Sequence, residues 1–363
     1  MTKPAKTRPF ISQVRCIYTG KVLDPVDADL KPSVEHIIPL ALGGANQFTT
    51  RDVSSAANSR AGDEIDDAVA STLPFLMLRH RYKLQGNRKV VPSLKMKEEF
   101  IDISASAEMS ISPDGEIEFM FQNEQKTAGE IISLGSTEDR VRFFLRGRLE
   151  QAKQRKRHLY TQFGEITDDE DIEIALLLAD RNEGQEFKAS VTIDVAAFNE
   201  ARARLMVKIA LGLGHRVLGP EWTFGPGGMM LRSHLFPGKK DLNFGSLKGT
   251  INADVPDIVA QIAGLADNRH VLAVLPIGKS TCAFISLFGG QAGTAVVDLE
   301  YDSRRKFNRA INKGEPLDCA FSIPLDVTGS RPLETRSIHE LADIANLNGL
   351  LPKSRAEAER MLR

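Results

Sequence analysis

A carboxylate, an imidazole and an amide stand close together in the first sixth of the chain. Glu35 and His36 are adjacent, and Asn58 follows 22 residues later, where a helix is expected to begin. A neutral histidine can take a proton from water, because its ordinary pKa is about 6.5. A carboxylate and an amide can together hold a hard divalent cation, which stabilises charge on a phosphate. These residue types are the ones that hydrolysis of a phosphodiester requires.

The elements around these residues have to bring them into one pocket. VEHIIPL (34–40) predicts a strand on its β-branched residues, ALGGANQFTTRD (41–52) predicts a loop, and a helix is predicted from Ser54. Neighbouring side chains of a strand point to opposite faces, so Glu35 and His36 can share a cleft only at a strand end or an irregular turn. Pro39 favours such an irregularity.

Each of these residues also has a purely structural interpretation. His36 could be a satisfied histidine in an apolar strand, Glu35 a solvated carboxylate and Asn58 a helix cap. The pair Gly43-Gly44 predicts a backbone turn in any case. Residues 15–30 predict a short strand, a turn and a second short strand, so the order is strand, strand, loop, helix within about 60 residues.

The ordered motifs in residues 14–72 resemble the HNH (ββα-metal) endonucleases. The resemblance is to the branch whose motifs read EHIIP…GG…CNxxxG…D. It is carried by Glu35-His36-Ile37-Ile38-Pro39-Leu40, by Gly43-Gly44, by Asn58-Ser59-Arg60-Ala61-Gly62 and by Ile65-Asp66. The pair Glu35-His36 alone would mean little, whereas EHIIP, GG and NSxxG in this order are fairly specific. The resemblance covers about a fifth of the chain.

The resemblance implies a role for each of these residues. His36 would be the general base, and Glu35 and Asn58 would bind the metal. The residue that orients the histidine has two candidates: Asn46 has the expected side chain and is favoured, while Thr50 lies nearer the expected spacing. The implied cofactor is a divalent cation, Mg²⁺ first, with Mn²⁺ or Zn²⁺ as alternatives.

The chain departs from this branch at the cysteines that commonly hold a structural zinc. The corresponding positions read Cys16-Ile-Tyr-Thr19 and Ser54-Ser-Ala-Ala57, so three of the four thiols are missing. A tetrahedral site needs four donors, and we therefore expect no structural zinc. The two halves would then be held together by apolar packing of Ile17, Tyr18, Val53 and Ala57.

The charge of the chain is unevenly distributed. Residues 1–97 contain fifteen Lys and Arg against nine Asp and Glu, a balance of +6, and since the whole chain is −1 the remainder carries −7. A basic module on an acidic remainder is consistent with a nucleic-acid partner, DNA rather than RNA, although chance scatter of surface charge explains it equally well. The residues expected to contact phosphates are Arg60, Arg79, Arg81, Lys83, Arg88 and Lys89.

The remainder of the chain predicts further helices and strands. A turn at 112–115 between two alternating runs predicts a hairpin, and a basic helix is predicted at 137–160. A second helix is predicted at 199–214, with Asn199 as its N-cap and Gly214 at its end, followed by a loop at 219–229. Three strands are predicted within 270–300, and helices near 337–348 and 354–363. The expected fold is α+β, with a ββα-metal domain at 1–97 and a larger α+β domain at 98–363, regulatory or nucleic-acid-positioning in role.

Two functions from different classes fit the sequence. The first is a metal-dependent endonuclease that hydrolyses DNA, with bacterial defence as a speculative setting. The alternative is a non-catalytic nucleic-acid-binding or sensor protein that retains a degenerate HNH fold. Three cysteines without a CxxC pair and the lack of a long apolar run or signal predict a cytoplasmic protein without a membrane partner. A homodimer is one expected assembly.

Overall fold

The chain forms two compact units. The computed structural model describes residues 14–86, 94–100, 103–111, 117–125, 129–135, 138–161, 163–180, 195–236, 249–251, 268–277, 279–327 and 330–347. Unit 1 comprises Met1–Lys89 with Val195–Arg363, and unit 2 is Val90–Asp194. This division differs from the predicted boundary at residue 97, because the chain after residue 194 returns to the core that the N-terminal residues begin.

The N-terminal part of unit 1 is a hairpin followed by short helices. Its elements are β1 (Pro32–His36), a 3₁₀ turn (Leu40–Leu42), β2 (Thr49–Ser54), α1 (Ser55–Ala61), a π-helical turn (Gly62–Asp66), α2 (Asp67–Ala70) and α3 (Leu73–Arg81). Ser54 begins α1, since its hydroxyl accepts a hydrogen bond from Ala57 N at 3.4 Å. Pro74 lies in the first turn of α3, as predicted.

Several boundaries in this part differ from the prediction. The strand expected at 34–40 ends at His36, because Pro39 and the 3₁₀ turn after it interrupt the ladder. Residues 49–52, which were expected in a loop, begin β2. Where two strands were expected within 15–30, the described residues form a bridge between Arg15 and Val22.

Unit 2 contains a six-stranded sheet and two helices. They are β3 (Leu94–Phe100), β4 (Ile103–Ile111), β5 (Ile117–Gln125), β6 (Gly129–Gly135), α4 (Glu138–Arg155), β7 (Leu159–Thr161), β8 (Gly164–Ile166) and α5 (Asp169–Asp180). The strands lie in sequence order, and β6 and β7 pair in parallel. Strands β4 and β5 pair antiparallel, as the predicted hairpin requires, whereas the helix predicted at 137–160 ends at Arg155 and is followed by β7. Arg142 and Arg146 of α4 pair with Glu173 and Asp169, so the acidic run neutralises part of this basic helix.

The rest of unit 1 is a long helix, short helices and a second six-stranded sheet. Its elements are α6 (Val195–Leu218), α7 (Pro220–Thr223), α8 (Pro226–Ser233), β9 (Gly249–Ile251), β10 (Arg269–Ile277), β11 (Ser280–Ser286), a 3₁₀ turn (Phe288–Gly290), β12 (Thr294–Asp298), α9 (Arg304–Lys313), β13 (Asp318–Pro324), β14 (Glu334–Ser337) and α10 (Ile338–Leu347). The sheet is antiparallel in the order β14-β13-β10-β11-β12-β9. Strands β10 to β12 and helix α10 were predicted, and the predicted helix at 354–363 lies outside the described residues.

Helix α6 is longer than its sequence pattern predicts. Asn199 lies inside it rather than at its start, and Gly214 does not end it. An ideal Cβ on Gly214 would lie 2.4 Å from Trp222 ring atoms, so this glycine serves close packing. The helix instead stops before Gly219, whose φ of 92° the residue type permits. The region 219–229 was expected as a loop but contains α7 and the start of α8.

Helix α6 packs between the hairpin and the second sheet in one continuous core. Gly212 lets the helix approach the chain after β1, where an added Cβ would lie 3.2 Å from Ile37. Phe48 and Phe321 pack with ring centroids 5.1 Å apart, joining the turn before β2 to β13. The same buried cluster contains residues of the hairpin, α6 and the sheet. The hairpin is therefore built into unit 1.

The architecture is α+β, as expected from the sequence. Within the described part of the chain, no helix combines the length and apolar character needed to cross a membrane.

Candidate active site

The hairpin places Glu35 and His36 at an irregular strand end. Strand β1 ends at His36, which lies opposite Thr49, while Glu35 lies opposite Thr50. The register shifts between Ser33 and Glu35, so one more residue of β2 is fitted into the ladder there. The end of β1 at His36 agrees with the expectation that the two residues lie at a strand end, whereas the register shift lies before Glu35 and not at Pro39.

His36 is half-buried and contacts the side chain of Asn46. Burial lowers the pKa of His36, while a hydrogen bond with Asn46 and the charge of Glu35 oppose that change. The imidazole is thus favoured in the neutral form that a general base requires. Of the two residues considered for orienting it, Asn46 is the one that contacts the ring. The hydroxyl of Thr50 instead accepts a hydrogen bond from Asp52 N at 3.1 Å.

Glu35 is the centre of a buried polar cluster. The residue is only 5% exposed, and its Oε1 accepts a hydrogen bond from Tyr18 Oη at 2.9 Å. Lys208 of α6 places its Nζ 2.5 Å from the same Oε1 and 2.7 Å from both carboxylate oxygens of Asp66. The cluster therefore joins the N-terminal turn, the hairpin, the π-helical turn and α6.

The ammonium of Lys208 and the carboxylate of Asp66 stabilise each other's charged forms, while the charge of Glu35 opposes ionisation of Asp66. Burial alone would lower the pKa of Lys208, but Asp66 and Glu35 outweigh burial and raise it, so the ammonium stays charged. Burial raises the pKa of Asp66 to about 6, with the ammonium of Lys208 opposing. Burial, and then the carboxylate of Glu35, raise the pKa of Tyr18, which keeps its hydroxyl as a donor.

Asn58 connects α1 to β1. It lies in the first turn of α1 and does not cap the helix, a role that Ser54 takes. Its Nδ2 donates hydrogen bonds to Ser33 Oγ at 2.7 Å and to the carbonyl oxygen of Val34 at 2.9 Å. Because a carbonyl oxygen only accepts, these contacts fix which end of the amide faces the strand. The amide oxygen of Asn58, Oδ1, is therefore turned away from Ser33 and Val34.

Two oxygens expected to be metal ligands have no hydrogen-bond partner among the described residues. Among the described residues none bonds Glu35 Oε2, since both partners of this carboxylate contact Oε1, and none bonds Asn58 Oδ1. A carboxylate and an amide oxygen are donors suited to a hard cation. No group of three or more His, Cys, Asp or Glu suitable for a metal ion occurs in the part of the chain that the structure describes.

The phosphate-contact prediction is wrong for Arg79. This side chain is only 5% exposed, and its Nη1 donates to the carbonyl oxygen of Ala70 at the end of α2, at 3.1 Å. It satisfies a helix end inside the unit and is not available to a ligand, because the packing of α3 draws it inward. Arg88 and Lys89 lie outside the described residues.

The other three predicted phosphate contacts are at the surface. Arg60 pairs with Glu64 at 2.7 Å and lies over the ring of Phe236, 4.4 Å from its centroid. Arg81 and Lys83 are exposed near the end of α3. Arg60 is the one on the helix that also carries Asn58.

The positions that would carry zinc ligands in the resembled branch are joined by a hydrogen bond. The Sγ of Cys16 accepts a hydrogen bond from Ser54 N at 3.3 Å, and both residues are buried. The apolar packing expected in this place is confirmed, since four side chains are at most 4% exposed. They are Ile17, Tyr18, Val53 and Ala57.

A buried histidine of the second sheet holds the turn between His36 and Asn46. His270 is 0% exposed, its Nδ1 accepts from Phe288 N at 3.1 Å, and its Nε2 lies 2.7 Å from the carbonyl oxygen of Leu42. Since Nδ1 must be unprotonated to accept, Nε2 carries the hydrogen and donates to Leu42. The ring is therefore neutral.

The sequence did not single out Lys208, Tyr18 or His270 as site residues. For Lys208 a signal was present, because a lone lysine stands in the apolar run LMVKIALGLG of a core helix, and a fully buried lysine needs charged partners. Nothing local identified those partners, which lie 142 and 173 positions earlier.

No family model matches the chain, and neither a curated protein nor a solved structure matches it.

Proposed function

We propose that this chain is a metal-dependent endonuclease of the HNH type that hydrolyses phosphodiester bonds of DNA. The observation that supports the proposal is the contact between Asn46 and the half-buried imidazole of His36, whose neutral form burial favours. Glu35 precedes it in β1, and Asn58 contacts the same strand through Ser33 and Val34; each of these two side chains has an oxygen that no described residue bonds.

In this proposal each residue has one task. His36 takes a proton from the attacking water, and Asn46 holds the ring so that its free nitrogen faces the water. Glu35 Oε2 and Asn58 Oδ1 would hold the cation, Mg²⁺ with Mn²⁺ or Zn²⁺ as alternatives. When bound, such a cation supplies positive charge to the phosphate oxygens. Arg60, on the same helix as Asn58, would contact a neighbouring phosphate.

The test is plasmid cleavage by the full chain with each of the three cations. His36→Ala should lower the cleavage rate by about 10²–10⁴-fold, the usual contribution of a general base. His158→Ala is the matched control, because this histidine is exposed and contacts Glu165 in unit 2. Undiminished cleavage by His36→Ala would overturn the assignment.

The burial of Glu35 favours a second candidate, a non-catalytic nucleic-acid-binding or sensor protein. One oxygen of this carboxylate is already taken by Lys208 and Tyr18, and the residue is only 5% exposed. This candidate expects wild-type protein to bind labelled DNA in an anisotropy titration without turnover in any of the three cations. The endonuclease expects turnover that depends on the cation.

A further inference from the structure

We propose that Lys208 is a positioning residue that fixes the orientation of Glu35, so that Oε2 of this carboxylate faces the cation. The inference rests on the proposed function and adds to it a residue from helix α6, outside the HNH-like segment. The active site would then be formed by residues that precede unit 2 in the chain and by one residue that follows it.

The geometry restricts how Glu35 can turn. Lys208 Nζ lies 2.5 Å from Oε1, and Tyr18 donates to the same oxygen at 2.9 Å. Two donors converging on one oxygen determine where the other oxygen points. Lys208 is itself held in place, because both oxygens of Asp66 contact its Nζ at 2.7 Å.

A purely structural role would not require this arrangement. Burying charges costs free energy, and replacing a buried ion cluster by apolar side chains of similar size is often neutral or stabilising. Lys208 is 1% exposed and lies between Val207 and Ile209 in a helix whose other buried residues are apolar or glycine. A methionine would suit that helix better than a lysine. Directing a ligand is a reason to retain the charge.

The inference is tested with Lys208→Met combined with Asp66→Asn in the full chain. The double substitution removes the ammonium together with the carboxylate that would otherwise be left buried and unpaired. We expect a folded protein whose Mn²⁺ affinity, measured by electron paramagnetic resonance, is weaker by about 10–100-fold, as is usual when a ligand loses its supporting partner. Cleavage should fall at limiting Mn²⁺ and recover largely at saturating Mn²⁺.

A matched lysine provides the control. Lys306 is also partly buried and bonds the carbonyl oxygens of Val217 and Leu218 at the end of α6, without contacting the cluster. Lys306→Met should leave Mn²⁺ affinity and cleavage unchanged. Wild-type affinity and cleavage in the folded double variant would overturn the inference.

A second variant covers the case in which the double variant does not fold. Tyr18→Phe removes only the other hydrogen bond to Glu35 Oε1 and retains the ring, and it should weaken Mn²⁺ binding in the same direction. Unchanged Mn²⁺ binding in a folded Tyr18→Phe would then count against the inference. Failure of the proposed function looks different, because wild-type protein itself would neither bind Mn²⁺ nor cleave DNA, and the inference would fall with it.

Discussion

Acidification should destabilise this protein through His270, the neutral histidine that holds the turn at Leu42. In the folded chain Nδ1 of this ring accepts from Phe288 N, so a second proton cannot be added without breaking that hydrogen bond. Burial, with a smaller contribution from nearby Arg331, lowers the pKa of His270 to about 4 against the opposing hydrogen bond to Leu42. The unfolded chain takes up the proton near the ordinary pKa of about 6.5.

The sign and size of the effect depend on these two values. Because the folded pKa is below the unfolded one, the stabilising contribution is complete above about pH 6.5 and is lost as the pH falls towards 4. The difference corresponds to about 3 kcal/mol in all, of which about 2 kcal/mol is lost by pH 5.

The assay is equilibrium urea unfolding of wild type and His270→Gln at about pH 7.5 and pH 5. Glutamine retains an N–H for the carbonyl oxygen of Leu42 but does not titrate. The comparison cancels other titrating groups, including Asp66, whose raised pKa acts in the opposite direction. Wild type should lose about 2 kcal/mol more than the variant over this interval. Equal losses in the two proteins would refute the reasoning.

Three further predictions concern packing, charge and the strand–helix connection. Gly214→Ala should lower the free energy of unfolding by about 1–3 kcal/mol, because its Cβ would overlap the ring of Trp222, and wild-type stability in urea would contradict this. Arg79→Ala should lower the free energy of unfolding by about 1–3 kcal/mol and leave the DNA affinity of the folded protein unchanged. Arg81→Ala should instead reduce the slope of log affinity against log salt concentration by about one. If anisotropy titrations showed the smaller slope for Arg79→Ala and not for Arg81→Ala, Arg79 would be a phosphate contact. Asn58→Ala removes two hydrogen bonds to β1 and should lower the free energy of unfolding by about 1–2 kcal/mol and weaken Mn²⁺ binding. An unchanged thermal unfolding curve would contradict the role of the hydrogen bonds, and an unchanged paramagnetic resonance titration would contradict the role of Asn58 as a ligand.

The sequence was informative where local chemistry decides the structure. The β-branched run around Glu35, Pro39 and the helix after Ser54 reflect the conformational preferences of a few neighbouring residues. Those preferences sufficed for the strand that carries Glu35 and His36 and for the helix after Ser54, but not for β2, whose residues 49–52 were expected in a loop.

The remainder depended on contacts between distant residues. Asn199 and Gly214 look like the ends of a helix, but α6 continues past each of them, where Phe198 packs against Phe75 at one end and Val217 is buried at the other. Arg79 looks like a surface charge in a basic run until α3 is packed. The partners of Lys208 depend on the packing of α6 on the hairpin, which no pattern within either segment specifies.

The placement of unit 2 between two halves of unit 1 has a consequence for synthesis. The hairpin is translated before residues 90–194, and α6 is translated only after them. At about 5–20 residues per second this interval is roughly 5–20 s, during which Glu35 has no Lys208 ammonium beside it. A nascent chain interrupted within that interval would carry residues 14–72 and still lack the lysine that contacts Glu35.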